Sequence, residues 1–142
     1  LKKYFQDDKL NVTHKKRKVI YNAINNQTNI NVDLKKFENN LKKLILLTKE
    51  KQANPIFITQ RTLRWKKDNN KVFSIDNTNY YLKEKLISEK TIDICRTYNI
   101  KCIDVFKNLS LTVADTYDLV HLNPKGSNRL SNFLLNEFLK NY

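Results

Sequence analysis

Pro55-Ile56-Phe57-Ile58-Thr59-Gln60 decides how the rest of the chain is read. Ile56 to Thr59 is a short uncharged run rich in β-branched and aromatic residues, and such a run predicts a strand buried in a parallel sheet. Pro55 closes the linker before it. Upstream, Leu34, Phe37, Leu41, Leu44, Ile45 and Thr48 recur at helical spacing, with Lys35, Lys36, Lys42, Lys43 and Lys49 on the opposite face. That pattern predicts a helix over 34–50, capped by Asp33. Downstream, residues 60–78 are polar and contain the one Trp, Trp65, so they are expected to form a long loop. Tyr80, Ile87, Thr91, Ile94, Cys95 and Tyr98 mark a second helix over 79–98. Ile100 to Phe106 is a second β-type run, 107–125 a loop, and a final helix begins near Gly126 with Leu130, Phe133, Leu134 and Phe138 on one face.

Helix, strand, helix, strand, loop, helix implies an α/β fold, with parallel strands and helices on both faces of the sheet. Two strands are too few to cover three helices, so further strands are expected N-terminal to this segment. The 142 residues suit one α/β domain. Residues 1–33 are Asn-rich and read as an irregular, lid-like segment with a short helix near Lys16–Ile24. Position 1 is Leu and the chain has no Met, which fits a processed, trimmed or partial chain. Its one Gly, Gly126, is unusual for an α/β enzyme, whose loops use Gly for left-handed turns. A chain without such glycines either is not this kind of enzyme or has lost the loops that carry them.

The formal net charge is +13. It arises from 22 Lys and 5 Arg beside 20 Asn, a bias that an A- and T-rich coding sequence would produce by itself. The dense run Lys15-Lys16-Arg17-Lys18 is therefore read as a solvated face, and nucleic acid is not the expected partner. Cys95 and Cys102 form no CxxC pair and have no neighbouring His, so both are read as small apolar core residues rather than a disulfide framework or a metal site. No apolar stretch reaches the length of a membrane span, and no signal peptide is visible.

Asp118-Leu119-Val120-His121-Leu122-Asn123-Pro124-Lys125-Gly126 carries the candidate chemistry. A carboxylate three residues before an imidazole, on a turn, can accept the Nδ1 proton and leave Nε2 free to take a proton from a hydroxyl. A bare D-x-x-H is more often a solvated Asp and a surface His beside a helix cap. Here its context matters: it follows a strand-like run and opens the last helix of the chain.

This block resembles the C-terminal block of SGNH (GDSL-like) hydrolases, in which the catalytic Asp and His share one D-x-x-H before a closing helix. Ile56 to Gln60 is similar to a family strand ending in T-Q, Leu34 to Leu47 to the helix before it, and Tyr98 to Val105 to the strand leading to the acid–base loop. The likeness covers roughly residues 34–142. It implies an incomplete three-layer α/β/α, flavodoxin-like fold, no cofactor or metal, an ester substrate such as an acylated carbohydrate or lipid, and catalytic roles for Asp118 and His121.

The family's nucleophilic G-D-S, its oxyanion Gly and its G-x-N-D block have no counterpart here. The resemblance therefore implies a part of the protein that lacks the nucleophile. Ser127 is expected to cap the last helix, and Ser74, Ser88, Ser110 and Ser131 lack a strained turn around them. Trp65, Tyr80 and Tyr81 suit either packing or an acyl or sugar site. The competing readings are a basic nucleic-acid-binding α/β module and a non-catalytic remnant with an accidental D-x-x-H.

Overall fold

The computed structural model describes residues 19–24, 30, 32–69, 71–76 and 78–140. His14, the Lys15–Lys18 run and most of the lid-like segment lie outside them. The fold is mixed α/β. In chain order the elements are β1 (Asn22–Ala23), α1 (Leu34–Glu50), β2 (Ile56–Ile58), β3 (Trp65–Asp68), β4 (Lys71–Ser74), α2 (Tyr80–Tyr98), β5 (Lys101–Ile103), α3 (Val105–Asn108) and α4 (Pro124–Leu139).

The three long helices begin at side-chain caps. Asp33 accepts from the Lys36 N–H, Asn79 from Leu82 and Asn123 from Gly126. Each satisfies one of the donors that a helix N-terminus leaves unpaired. Asn123, not Ser127, is the cap of α4, because Pro124 takes the first helical position and fixes the start three residues earlier.

β2 and β5 are parallel neighbours, with Ile56 opposite Lys101, Phe57 opposite Cys102 and Ile58 opposite Ile103. Alternation along β5 sends its side chains to two faces. Cys102 faces α2, where it bonds Cys95. Ile103 joins Leu63, Val105, Leu109 and Leu111 in the core cluster that packs on Leu130, Phe133 and Leu134 of α4. Helices α2 and α4 thus cover opposite faces of β5, and α1 packs beside α2, where Lys90 meets Glu38 at 3.4 Å.

Four expectations need correction. First, Ile56 and Ile58 are not buried: they are 40% and 48% exposed. They share the face of Ile103 but are not part of the core cluster that α4 covers; among the described residues the second edge of β2 is unpaired. Leu44 of α1, expected inward, is likewise exposed, while Ile45 is fully buried.

Second, residues 60–78 are not one long loop. They contain the antiparallel hairpin β3–β4, with Trp65 opposite Ser74 and Asp68 opposite Lys71. β1 extends this sheet on the far side of β4, so residues 22–23 are strand rather than helix. Third, β5 ends at Ile103, because the Asp104 side chain accepts the Lys107 N–H and starts the short helix α3.

Fourth, Cys95 and Cys102 form a disulfide. Asn99 takes a left-handed conformation after α2, and the Ile100 N–H bonds the Cys95 carbonyl. This reversal brings the two Cα atoms to 6.0 Å, within bridging range.

Asn99 also explains the shortage of glycine. Asn tolerates left-handed φ better than other side chains do. In this chain Asn69 (φ 43°) in the hairpin turn and Asn99 (φ 51°) hold positions that Gly usually takes. A single Gly is therefore no sign of missing turns within the described residues.

Candidate acid–base site

The segment between α3 and α4 is built around a fully buried carboxylate. Asp115 accepts from the Thr112 N–H at 2.7 Å, the Thr112 hydroxyl at 2.8 Å and Arg129 Nη1 at 2.8 Å. Burial works to raise its pKa, but the Thr112 bonds and the Arg129 charge prevail and hold it below the usual value. Its Oδ1 is buried and finds no partner among the described residues.

The backbone carbonyl of Asp115 accepts the Asn123 N–H at 3.0 Å. Asn123 also donates from Nδ2 to the Ala114 carbonyl at 2.9 Å. Gly126 packs so closely that a Cβ there would lie 2.0 Å from the Asp115 oxygen. Residues 115 and 123 are thereby clamped together at the start of α4, and the chain between them must form a tight excursion.

That excursion carries Asp118 and His121. Thr116 bridges antiparallel to Leu122, and the Tyr117 N–H donates to the His121 carbonyl at 2.8 Å. Leu119 sits at φ 73°, a conformation that costs a branched side chain about 1–2 kcal/mol. Two contacts hold it there: its side chain packs on the core cluster, and its carbonyl accepts the Leu63 N–H at 2.8 Å.

The strained residue turns Asp118 back onto His121. Asp118 Oδ1 accepts the N–H groups of His121 at 2.8 Å and Val120 at 3.1 Å, while Oδ2 lies 2.7 Å from His121 Nδ1. The His121 backbone N–H, then its ring, then the Val120 N–H hold the Asp118 carboxyl well below the ordinary carboxylate range. An anionic Asp118 fixes hydrogen on Nδ1 and leaves Nε2 as the lone-pair nitrogen. The His121 side chain is 75% exposed, so this base faces outward.

The two residues singled out by the D-x-x-H spacing are thus brought into direct contact. The serines are not brought to them. Ser74 and Ser88 are buried, the Ser131 hydroxyl donates to the Ser127 carbonyl, and no serine bonds His121. Trp65 is packing: it is 3% exposed, lies edge-on to Tyr81 at 4.8 Å and next to Phe106 at 5.6 Å, and donates from Nε1 to Glu84 at 2.8 Å. Among the described residues no group of His, Cys, Asp and Glu is arranged to hold a metal ion, and no helix is long and apolar enough to cross a membrane.

Two features escaped the sequence reading. The Asp115 clamp had a signal, since Thr112-x-x-Asp115 has the spacing of a helix-capping pair. Glu84, which also accepts from the Thr62 N–H at 3.1 Å and from the Thr62 hydroxyl, has none, because its partners Thr62 and Trp65 lie about twenty residues away in sequence.

No protein-family model matches the chain, and no curated protein or solved structure is significantly similar to it.

Proposed function

We propose that this chain carries the acid and base of an SGNH-type carboxylic ester hydrolase, Asp118 and His121, and that they serve a Ser nucleophile outside these 142 residues. The observation that supports this best is the 2.7 Å contact between Asp118 and His121 Nδ1 on a strained turn. A surface Asp and His need no such turn. Two neighbours in the fold agree with the reading. The turn lies beyond the carboxyl ends of parallel strands, where open α/β sheets bind ligands. The edge of β2, unpaired among the described residues, also suits a larger flavodoxin-like sheet in which β2 and β5 are the last two strands.

In this reaction His121 Nε2 removes the proton from the Ser hydroxyl as its oxygen attacks the ester carbonyl carbon. The tetrahedral intermediate collapses, the ester C–O bond breaks, and His121 returns the proton to the leaving alkoxide. A water, or an acceptor hydroxyl in a transferase, then repeats the sequence on the acyl-serine. Asp118 holds the imidazole in the required tautomer and stabilises its cationic form. Oxyanion donors would come from the same part of the protein as the Ser.

The test uses two proteins, this chain alone and the same chain expressed with its native upstream sequence. The longer protein should hydrolyse p-nitrophenyl acetate and lose at least about 10³-fold in kcat on His121→Ala. The chain alone should be inactive. Activity of the chain alone that a serine-directed inhibitor blocks would mean that a local Ser is the nucleophile. Full activity of the longer His121→Ala protein would remove the catalytic reading.

A further inference from the structure

The loop leaving β2 shares the carboxyl edge of the parallel pair with the acid–base turn. Thr59 fastens it to β5: its hydroxyl donates to Asp104 Oδ1 at 2.9 Å and accepts the Phe106 N–H at 2.9 Å. Leu63 fastens it to the turn through Leu119, and the Tyr21 hydroxyl donates to the Leu63 carbonyl at 2.8 Å. Arg61 lies between these two fastened points, on a loop held at both ends.

Its guanidinium carbon lies 4.6 Å from the centroid of the Trp65 ring, a cation–π contact that holds the group in place. Among the described residues its hydrogen bond is a long one, Nη1 to the Phe106 carbonyl at 3.4 Å. Nε is buried without a partner among the described residues. Glu84 is the nearest obvious counter-charge, yet its oxygens are taken by Thr62 and Trp65. A structural Arg normally spends its five donors on carboxylates or carbonyls. This one is half-buried, held against Trp65, and among the described residues has most of its donors unspent.

We propose that Arg61 is the anion-recognition residue of the ester site, taking a carboxylate or phosphate group carried by the substrate. This rests on the ester-hydrolase reading of Asp118 and His121. A planar guanidinium presents paired N–H groups that match two oxygens of a carboxylate or phosphate, whereas a Lys offers only a point charge. The Trp65 contact holds that fork in place on a loop fastened at both ends, and partial burial shields it from screening by salt. The substrate is then an acidic ester, bound by its charge at Arg61.

Trp65 is the one Trp of the chain, so its fluorescence reports on the guanidinium beside it. The chain is titrated with inorganic phosphate and with acetate at constant ionic strength. A saturable change is expected with at least one anion. Saturation by phosphate alone or by acetate alone identifies the group, and either supports the proposal. Arg61→Gln should weaken binding at least tenfold, and Arg61→Lys, which keeps the charge but loses the fork, should do the same. No saturable change in the native chain overturns the proposal, as does unaltered binding in Arg61→Lys. The Lys variant also decides the matter if Arg61→Gln fails to fold. The two readings fail separately: lost anion binding with turnover still dependent on His121 removes only the subsite, and Arg61-dependent binding with turnover indifferent to His121 removes only the hydrolase.

Discussion

Asp118 accepts the backbone N–H of His121 at 2.8 Å and meets the ring Nδ1 of the same residue at 2.7 Å. One carboxylate thus fixes both the main chain and the side chain of the candidate base. Asp118→Asn should keep an acceptor for the N–H but let its amide donate to the ring, which favours the wrong tautomer. Under the proposed hydrolase reading, kcat of the chain carrying its native upstream sequence should fall by about 10³–10⁴-fold. Steady-state kinetics checks this, beside a thermal melt showing that the variant is folded.

Acid should expose the same carboxylates through stability. The folded-state pKa values of Asp118 and Asp115 are both lowered. A lowered carboxyl contributes stability that is present above its unfolded pKa, near 4, and is lost as pH falls through the folded value. The melting temperature should therefore drop steadily below about pH 4. The drop should be shallower in Asp118→Asn. An identical acid limb in the native chain and the variant would contradict the assigned hydrogen bonds.

Gly126→Ala should destabilise the protein through the backbone. Its new Cβ would sit 2.0 Å from the Asp115 carbonyl oxygen, so the start of α4 and the 3-10 turn at Val113–Asp115 must separate. Overpacking of this kind costs about 1–3 kcal/mol. Urea denaturation measures it, and a neutral effect would mean that the clamp at 115 and 123 is loose.

Asp115→Ala removes the acceptor shared by Thr112 and Arg129. The cost should be about 1–3 kcal/mol, the penalty for stranding donors at a buried site. Arg129 is itself exposed, so Arg129→Gln should cost less. Equal losses in the two variants would assign the stability to the ion pair rather than to the Thr112 bonds.

The disulfide between Cys95 and Cys102 closes a short loop of seven residue steps. The chain-entropy relation gives about 2–3 kcal/mol for a loop of that size. The Cys95→Ser, Cys102→Ser double variant should lose stability of that order in guanidinium melts. The native protein should yield no free thiol under denaturing conditions; two reactive thiols would refute the pairing.

Long, strongly periodic elements were legible in the sequence. Helices α1, α2 and α4 and the parallel pair β2–β5 follow from apolar spacing and, for α1, from Asp33 as its cap. The Asp118–His121 pair was legible from a three-residue separation. The hairpin β3–β4 was not, because Lys66, Lys67 and Asp68 face solvent and Asn69 replaces the Gly that usually marks such a turn. The disulfide was hidden for a related reason: it depends on Asn99 turning left-handed, which no cysteine spacing encodes. Arg61 and Glu84 acquire meaning only through tertiary neighbours, so no local pattern could single them out.

The open edge of β2 has a colloidal consequence. Exposed Ile56 and Ile58 and a backbone edge unpaired among the described residues invite a second copy to add a strand, while a net charge of +13 drives copies apart. The two forces differ in range. Charge repulsion reaches about 30 Å at 0.01 M salt and about 8 Å at 0.15 M, whereas strand addition acts only at contact. Dispersion of this chain in solution is therefore governed by ionic strength: copies held apart in dilute buffer can approach edge to edge once the counter-ion cloud has contracted.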